Sequence, residues 1–452
     1  MRNLKRGDYE AYFYRAAIYL SKDNLGNALS DYGKAVQLAP DAPSRAAALA
    51  GRGTVLVRMG QYDKALKDYN KAVELAPDAS SRAAALVKRG EVLVRMGQYD
   101  EALKDFNEAV ELAPDAPSQA AALAGHGAVL YKMGRYNDAL EDYNKAVELA
   151  PDAPSRAAAL AGRGTVLVRM GQYDEALKDF NEAVELAPDA PSQAAALAGH
   201  GAVLYKMGRY NDALEDYNKA VELAPDAPSR AAALAGRGTV LVRMGQYDEA
   251  LKDFNKAVEL TPDAPSRAAA LAGRGTVLVW KEQYDEALAD FNEAIGLTEA
   301  IANEAPPLAA RSAAPSAAVQ LGFDRSRMYT WRGLTYMHKK QRIEALKDFN
   351  QAIKLDPDNA QAFYWRGLAH LEMRSYVQAE NDFNVASRLE PRYAAPLAAL
   401  AELHLRIARE TLIQADYLCK VNPEIHPQHL INENGRRIAD LQRLLGSSTG
   451  TA

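Results

Sequence analysis

Cysteine is almost missing: Cys419 is the only one in 452 residues. A lone thiol excludes an intramolecular disulfide and a cysteine-cluster zinc site, and it fits a reducing, cytoplasmic setting. Long apolar runs are missing too. No uninterrupted stretch approaches the ~20 residues of a membrane-spanning helix, so no membrane partner is expected. The start, MRNLKRGDYE, is positively charged but has no apolar run behind it, as a secretory leader would. There is no excess of basic residues either. With 54 Lys+Arg against 59 Asp+Glu, the net charge is −5, which argues against a nucleic-acid or anionic-membrane partner. Sustained alternation of apolar and polar residues, the mark of strands, is absent.

What the chain has is repetition. Residues 118–191 recur as 192–265 with two differences, Glu182 against Lys256 and Ala187 against Thr261. Each 74-residue block is two related 37-residue units. In the unit 44–80, Leu49, Gly53 and Leu56 recur at helical spacing with Val55 and Met59 beside them. After Gly60, a second set follows: Tyr62, Ala65, Leu66, Tyr69, Ala72 and Val73. Both sets show the i, i+3/i+4, i+7 pattern of an amphipathic helix. Gly60 suits a helix C-terminus, where left-handed backbone is inexpensive only for glycine. Pro77 ends the second helix. Pro43 is tolerated in a new first turn, which Ser44 or Asp41 can cap. Each unit therefore reads as a helical hairpin, and stacked hairpins bury their apolar faces only against neighbours.

Leu49, Gly53, Leu56, Tyr62, Ala65, Tyr69, Ala72 and Pro77 stand at the signature spacing of the tetratricopeptide repeat, and the unit resembles that family. The series returns through Gly90, Tyr99, Ala102, Phe106, Ala109 and Pro114, and again as far as Gly238, Tyr247, Ala250, Phe254, Ala257 and Pro262. The resemblance covers ten units over roughly residues 8–392. It implies an all-α, right-handed α-solenoid of stacked antiparallel hairpins, and a non-catalytic protein–protein interaction adaptor or scaffold. First helices would line a concave groove that takes an extended or helical protein segment.

The organisation expected is a lead at 1–7, eight units at 8–300, an Ala/Pro/Ser-rich linker or insertion at 301–325 and two units at 326–392. Capping helices at 393–446 and a disordered tail at 447–452 would follow. The 37-residue units exceed the family's usual 34 by three, placed in DAPSRAAALA before the first helix signature. That is about one extra turn on an alanine-rich, strongly helical segment.

A second departure is ionic. Arg52, Arg89, Arg163, Arg237, Arg274, Arg332 and Arg366 each precede the signature glycine, and each has an aspartate sixteen residues later, from Asp68 to Asp382. Across a tight hairpin these positions meet, and a guanidinium grips a carboxylate bidentately. His126 and His200 replace the arginine in two units, with Asp142 and Asp216 retained.

Groove positions implied by the resemblance carry one cation per unit: Arg58, Arg95, Lys132, Arg169, Lys206 and Arg243. Such a strip focuses potential on an acidic protein segment; the alternative is a solvated face or pairing with the adjacent hairpin. Tyr131 and Tyr205 beside it either meet a ligand or are packed. In the last two units the groove positions include Arg327, Leu334, Met337 and His338, then Tyr364, Leu368 and Leu371. This apolar set suits a short peptide or helix, unless the long C-terminal helix already fills it. Self-assembly through solenoid ends or the outer face is the other functional class. Its motive is the aromatic start Tyr9, Tyr12, Phe13 and Tyr14. A monomer or weak homo-oligomer is expected. No catalytic, metal or cofactor constellation emerges. The Gly-x-Gly of GRGTVLVRMG lies within a helix rather than a phosphate loop, and His426 and His429 have no metal-ligand pattern around them.

Overall fold

The computed structural model describes residues 2–261, 263–304, 315–391 and 394–421, and all regular structure among them is helical. It divides into two compact units. One comprises residues 1–266 with 300–319; the other comprises 267–299 with 320–452.

The first unit contains seven antiparallel hairpins, from Arg2–Ser21 with Leu25–Leu38 to Ala227–Arg243 with Tyr247–Leu260. Local chemistry fixes each boundary. Asp41 Oδ1 accepts from the Ser44 backbone N–H at 2.8 Å, so aspartate rather than serine is the N-cap, with Pro43 in the first turn. The same Asp–Ser cap opens the helices at Ala79, Ala116, Ala153, Ala190 and Ala227. At the other end, Gly60 at φ 71° lets Gln61 N–H reach Leu56 O at 2.9 Å, which closes the helix and reverses the chain.

The core is a row of small and branched side chains that passes from hairpin to hairpin. Leu49, Ala72, Val73, Ala83, Leu86, Ala109 and Ala122 form one cluster across three successive hairpins. From the second hairpin on, first helices here have 17 residues, against 13 in Ala360–Glu372 of the 34-residue unit, so the extra residues add one helical turn.

In the second unit, Tyr284–Glu304 is a second helix. Pro315–His338 pairs with Arg342–Leu355, and Ala360–Glu372 with Tyr376–Leu389. The segment read as a linker at 301–325 thus ends one helix at Glu304 and begins another at Pro315. Ala394–Val421 is a single 28-residue helix. The rest of the capping region expected at 393–446, the tail, His426 and His429 lie outside the described residues.

Candidate functional site

The hairpins are held in register by a repeated ion pair. Arg163 donates from Nε and Nη2 to the two carboxylate oxygens of Asp179, both at 2.7 Å. The same fork recurs from Arg52–Asp68 to Arg366–Asp382. His126 and His200 place Nδ1 2.6 Å from the carboxylates of Asp142 and Asp216. Asp179 is buried, so the pair satisfies a charge inside the hairpin and is not offered to a ligand. An eighth fork, Arg15–Asp31, follows the same sixteen-residue rule although Ala16 replaces glycine. Its arginine holds Asp31 below the ordinary carboxylate range. Burial instead pushes Asp348 above that range, its two bonds from Arg332 notwithstanding.

Two kinds of link between neighbouring hairpins involve the register-pair arginine and the glycines beside it. Arg89, Arg163 and Arg237 donate their Nη1 to Asn70, Asn144 and Asn218 of the preceding hairpin, at 3.1, 3.0 and 2.9 Å. The second link is steric. Phe106 lies between two glycines, Gly90 of its own hairpin and Gly125 of the next, and a Cβ on either would stand 2.8 or 2.3 Å from the ring. Tyr143, Phe180 and Tyr217 are clasped the same way. The Gly-x-Gly of the first helix is thus a pair of ring seats, one facing each neighbouring aromatic.

The cations expected to meet a partner stand on the first helices of the first unit. Arg58, Arg95, Lys132, Arg169, Lys206 and Arg243 are all exposed there. Glu91 is the only acidic residue in the six helices Ala42–Arg58 through Ala227–Arg243, while the paired second helices carry the acids. Charge is therefore sorted by face, which the net value of −5 conceals. Three rungs touch the preceding hairpin. Arg58 lies 3.6 Å from Asp23 and reaches Leu20 O. Arg169 and Arg243 donate Nε to the hydroxyls of Tyr131 and Tyr205, at 3.0 and 3.1 Å. Tyr131 and Tyr205 are half-buried, each 5.7 Å from a second tyrosine, Tyr136 or Tyr210.

The second unit is different. Leu334 and Leu371 are buried. Tyr364 and Leu368 pack against Phe383 and Leu403, so the helix Ala394–Val421 covers that part of the expected groove. Met337 packs beside Phe349. His338 is exposed and stacks on Tyr284 at 5.1 Å, and Arg327 is exposed.

Among the described residues, no group of three or more His, Cys, Asp and Glu is placed to hold a metal ion. No described helix is long and apolar enough to cross a membrane.

Antiparallel hairpins that pack on one another through shared apolar clusters and repeat a register pair define an all-α solenoid. The chain belongs to the tetratricopeptide-repeat family. A profile described as "Tetratricopeptide repeat" matches residues 9–78, 81–152, 155–226 and 229–300, and one described as "TPR repeat" matches 329–373. This family is generally non-catalytic and binds peptides or proteins, so the chain is in general terms a protein-interaction scaffold. No curated protein matches significantly. Among solved structures, a tetratricopeptide repeat protein from Parabacteroides merdae is 21% identical, with a TM-score of 0.45 over 59% of this chain and 99% of that one. The Cut9–Hcn1 hetero-tetramer of APC/C is 14% identical, at a TM-score of 0.44 over 88% and 90%. YrrB, a TPR protein with an unusual peptide-binding site, is 25% identical, at a TM-score of 0.32 over 49% and 96%.

Proposed function

We propose that this chain is an adaptor that recruits an acidic protein segment along the basic face of its second to seventh hairpins. The observation that carries the reading is the sorting of charge. Six cations, Arg58 to Arg243, repeat at one helical position on a face where Glu91 is the only acid within the six helices. Cations spaced at about a Debye length reinforce one another, and a one-signed strip speeds capture of an oppositely charged chain. In the second unit, packing already occupies Leu334, Tyr364, Leu368 and Leu371. Arg327, Met337 and His338 are then accessory contacts at most, and the first unit is the principal site.

Crosslinking and mass spectrometry on the full chain in its native cell would name the partner. The test proper is the triple charge reversal Lys132→Glu, Arg169→Glu and Lys206→Glu, with folding checked by circular dichroism. Capture of the partner is expected to fall steeply and to depend on salt; capture left intact would refute the reading. A second reading, self-assembly through the N-terminal hairpin, is favoured by Tyr14 and Ile18, which are 65% and 54% exposed. Light scattering after size exclusion separates the two, because end-to-end association would give species heavier than a monomer.

A further inference from the structure

We infer that the acidic segment lies on the strip as a polyproline II helix with one acidic side chain at every third residue. This rests on the acidic-segment reading above and specifies its register. First helices of successive hairpins pack side by side, and the bonds from Arg169 to Tyr131 and from Arg243 to Tyr205 join them. Helices packed side by side lie about 8–10 Å apart, so the rungs recur at about that interval. A polyproline II helix has three residues per turn and advances about 9.3 Å in that turn. It therefore presents residues i, i+3 and i+6 on one side in step with the rungs. A β-strand returns to the same face about every 6.6–6.8 Å and falls out of step at once.

An α-helix matches only at every seventh residue, about 10.5 Å apart. The chemistry between the rungs favours the thinner ligand. The neighbouring positions in two adjacent hairpins are the small Ala121, Ala124, Ala128, Ala158, Ala161 and Thr165. The tyrosine pairs Tyr131–Tyr136 and Tyr205–Tyr210 flank them. Tyrosine-lined shallow faces are the usual seat of polyproline II segments, whose order is prepaid. Each of Tyr131 and Tyr205 accepts from an arginine, which leaves its hydroxyl proton to donate. A polyproline II backbone, without internal hydrogen bonds, offers a bare carbonyl at every residue. The two Tyr–Arg sets stand two hairpins apart, about 16–20 Å, which six residues of polyproline II span at about 18.6 Å. Acids six residues apart would therefore meet Arg169 and Arg243, the rungs fixed by tyrosine.

The test uses the full-length chain and fluorescein-labelled peptides of about 18 residues, six polyproline II turns, read by fluorescence anisotropy. One peptide repeats Glu-Pro-Ala. A second has the same composition with its glutamates in one block. A third is alanine-rich and helical, with glutamate at every seventh residue. The register peptide is expected to bind at least about tenfold tighter than the block, since a block engages only two or three rungs. The double variant Tyr131→Phe, Tyr205→Phe, folded by circular dichroism, should narrow that preference while leaving the block peptide's affinity unchanged. Equal affinity for register and block would overturn the register and leave the acidic reading standing. Tightest binding by the helical peptide would overturn the polyproline II geometry. Failure of all three to bind would overturn the acidic reading together with this one.

Discussion

Alanine at position 125 puts the shared-ring seam to a quantitative test. In a helix interior, Gly→Ala normally stabilises by about 1 kcal/mol through lost backbone entropy. At Gly125 a Cβ would lie 2.3 Å from Phe106 Cε1 and 2.8 Å from Cδ1 and Cζ. The ring must move by more than an ångström to restore van der Waals distance, and Gly90 on its far side blocks retreat. Overpacking of this kind costs about 1–3 kcal/mol, so the net effect is a loss of up to about 2 kcal/mol. Gly33 supplies the control, because it lies inside the helix Leu25–Leu38 with nothing within 4 Å of a new Cβ. Gly33→Ala should stabilise by up to about 1 kcal/mol. Urea titration followed by helical circular dichroism reads both variants against the parent chain. Opposite signs for the two midpoint shifts are expected. If Gly125→Ala raised the midpoint as Gly33→Ala does, the clasp would carry no packing energy and the seam argument would fail. A Phe106→Leu background should relieve the Gly125→Ala penalty, since the two substitutions touch.

Two further predictions follow from the same hairpins. Arg163→Ala leaves the buried Asp179 carboxylate without its fork and should cost about 1–3 kcal/mol; an unchanged urea midpoint would refute the register pair. Tyr143 and Tyr217 are pushed up to about 12 by burial. Their neutral form is favoured by the fold, so this stability is complete below pH 10 and is lost between pH 10 and about 12. Tyr329 is pushed up to about 12 as well, so in a Tyr329→Phe background tyrosinate absorbance titrated alongside circular dichroism should show two late-ionising tyrosines whose titration coincides with loss of helix. Ionisation of both near pH 10 with helicity intact would contradict it.

Features that lie within one unit were legible in the sequence. The helix pair, the turn at Gly60 and the Arg52–Asp68 fork each need only residues close in the chain, and period and polarity place them. Features between units were harder to read. The first glycine of Gly-x-Gly, the Asn144–Arg163 bond and the Tyr131–Arg169 bond join positions 19 to 38 residues apart. One repeat seen alone gives no order for those positions across a seam. Asn144 sits on a second helix, and nothing in that helix indicates that the next hairpin's arginine reaches it. The Arg15–Asp31 pair keeps the same sixteen-residue spacing, but Ala16 stands where the signature glycine marks the arginine in the other units. Burial of Leu371 beside Ala399 and Leu403 depends on where the last helix settles, and no local period records that.

The seams also bear on how the chain's length can change. The bonds that tie Arg163 to Asn144 and Arg169 to Tyr131 recur one block later, with nearly the same lengths, as Arg237 to Asn218 and Arg243 to Tyr205. Removal of one 74-residue copy would bring together two surfaces that already meet elsewhere in the molecule. The chain is in that sense a ruler with interchangeable segments. Recombination between its near-identical copies would shorten or lengthen it by two hairpins, about 16–20 Å at a step. Every joint would be one the fold already contains.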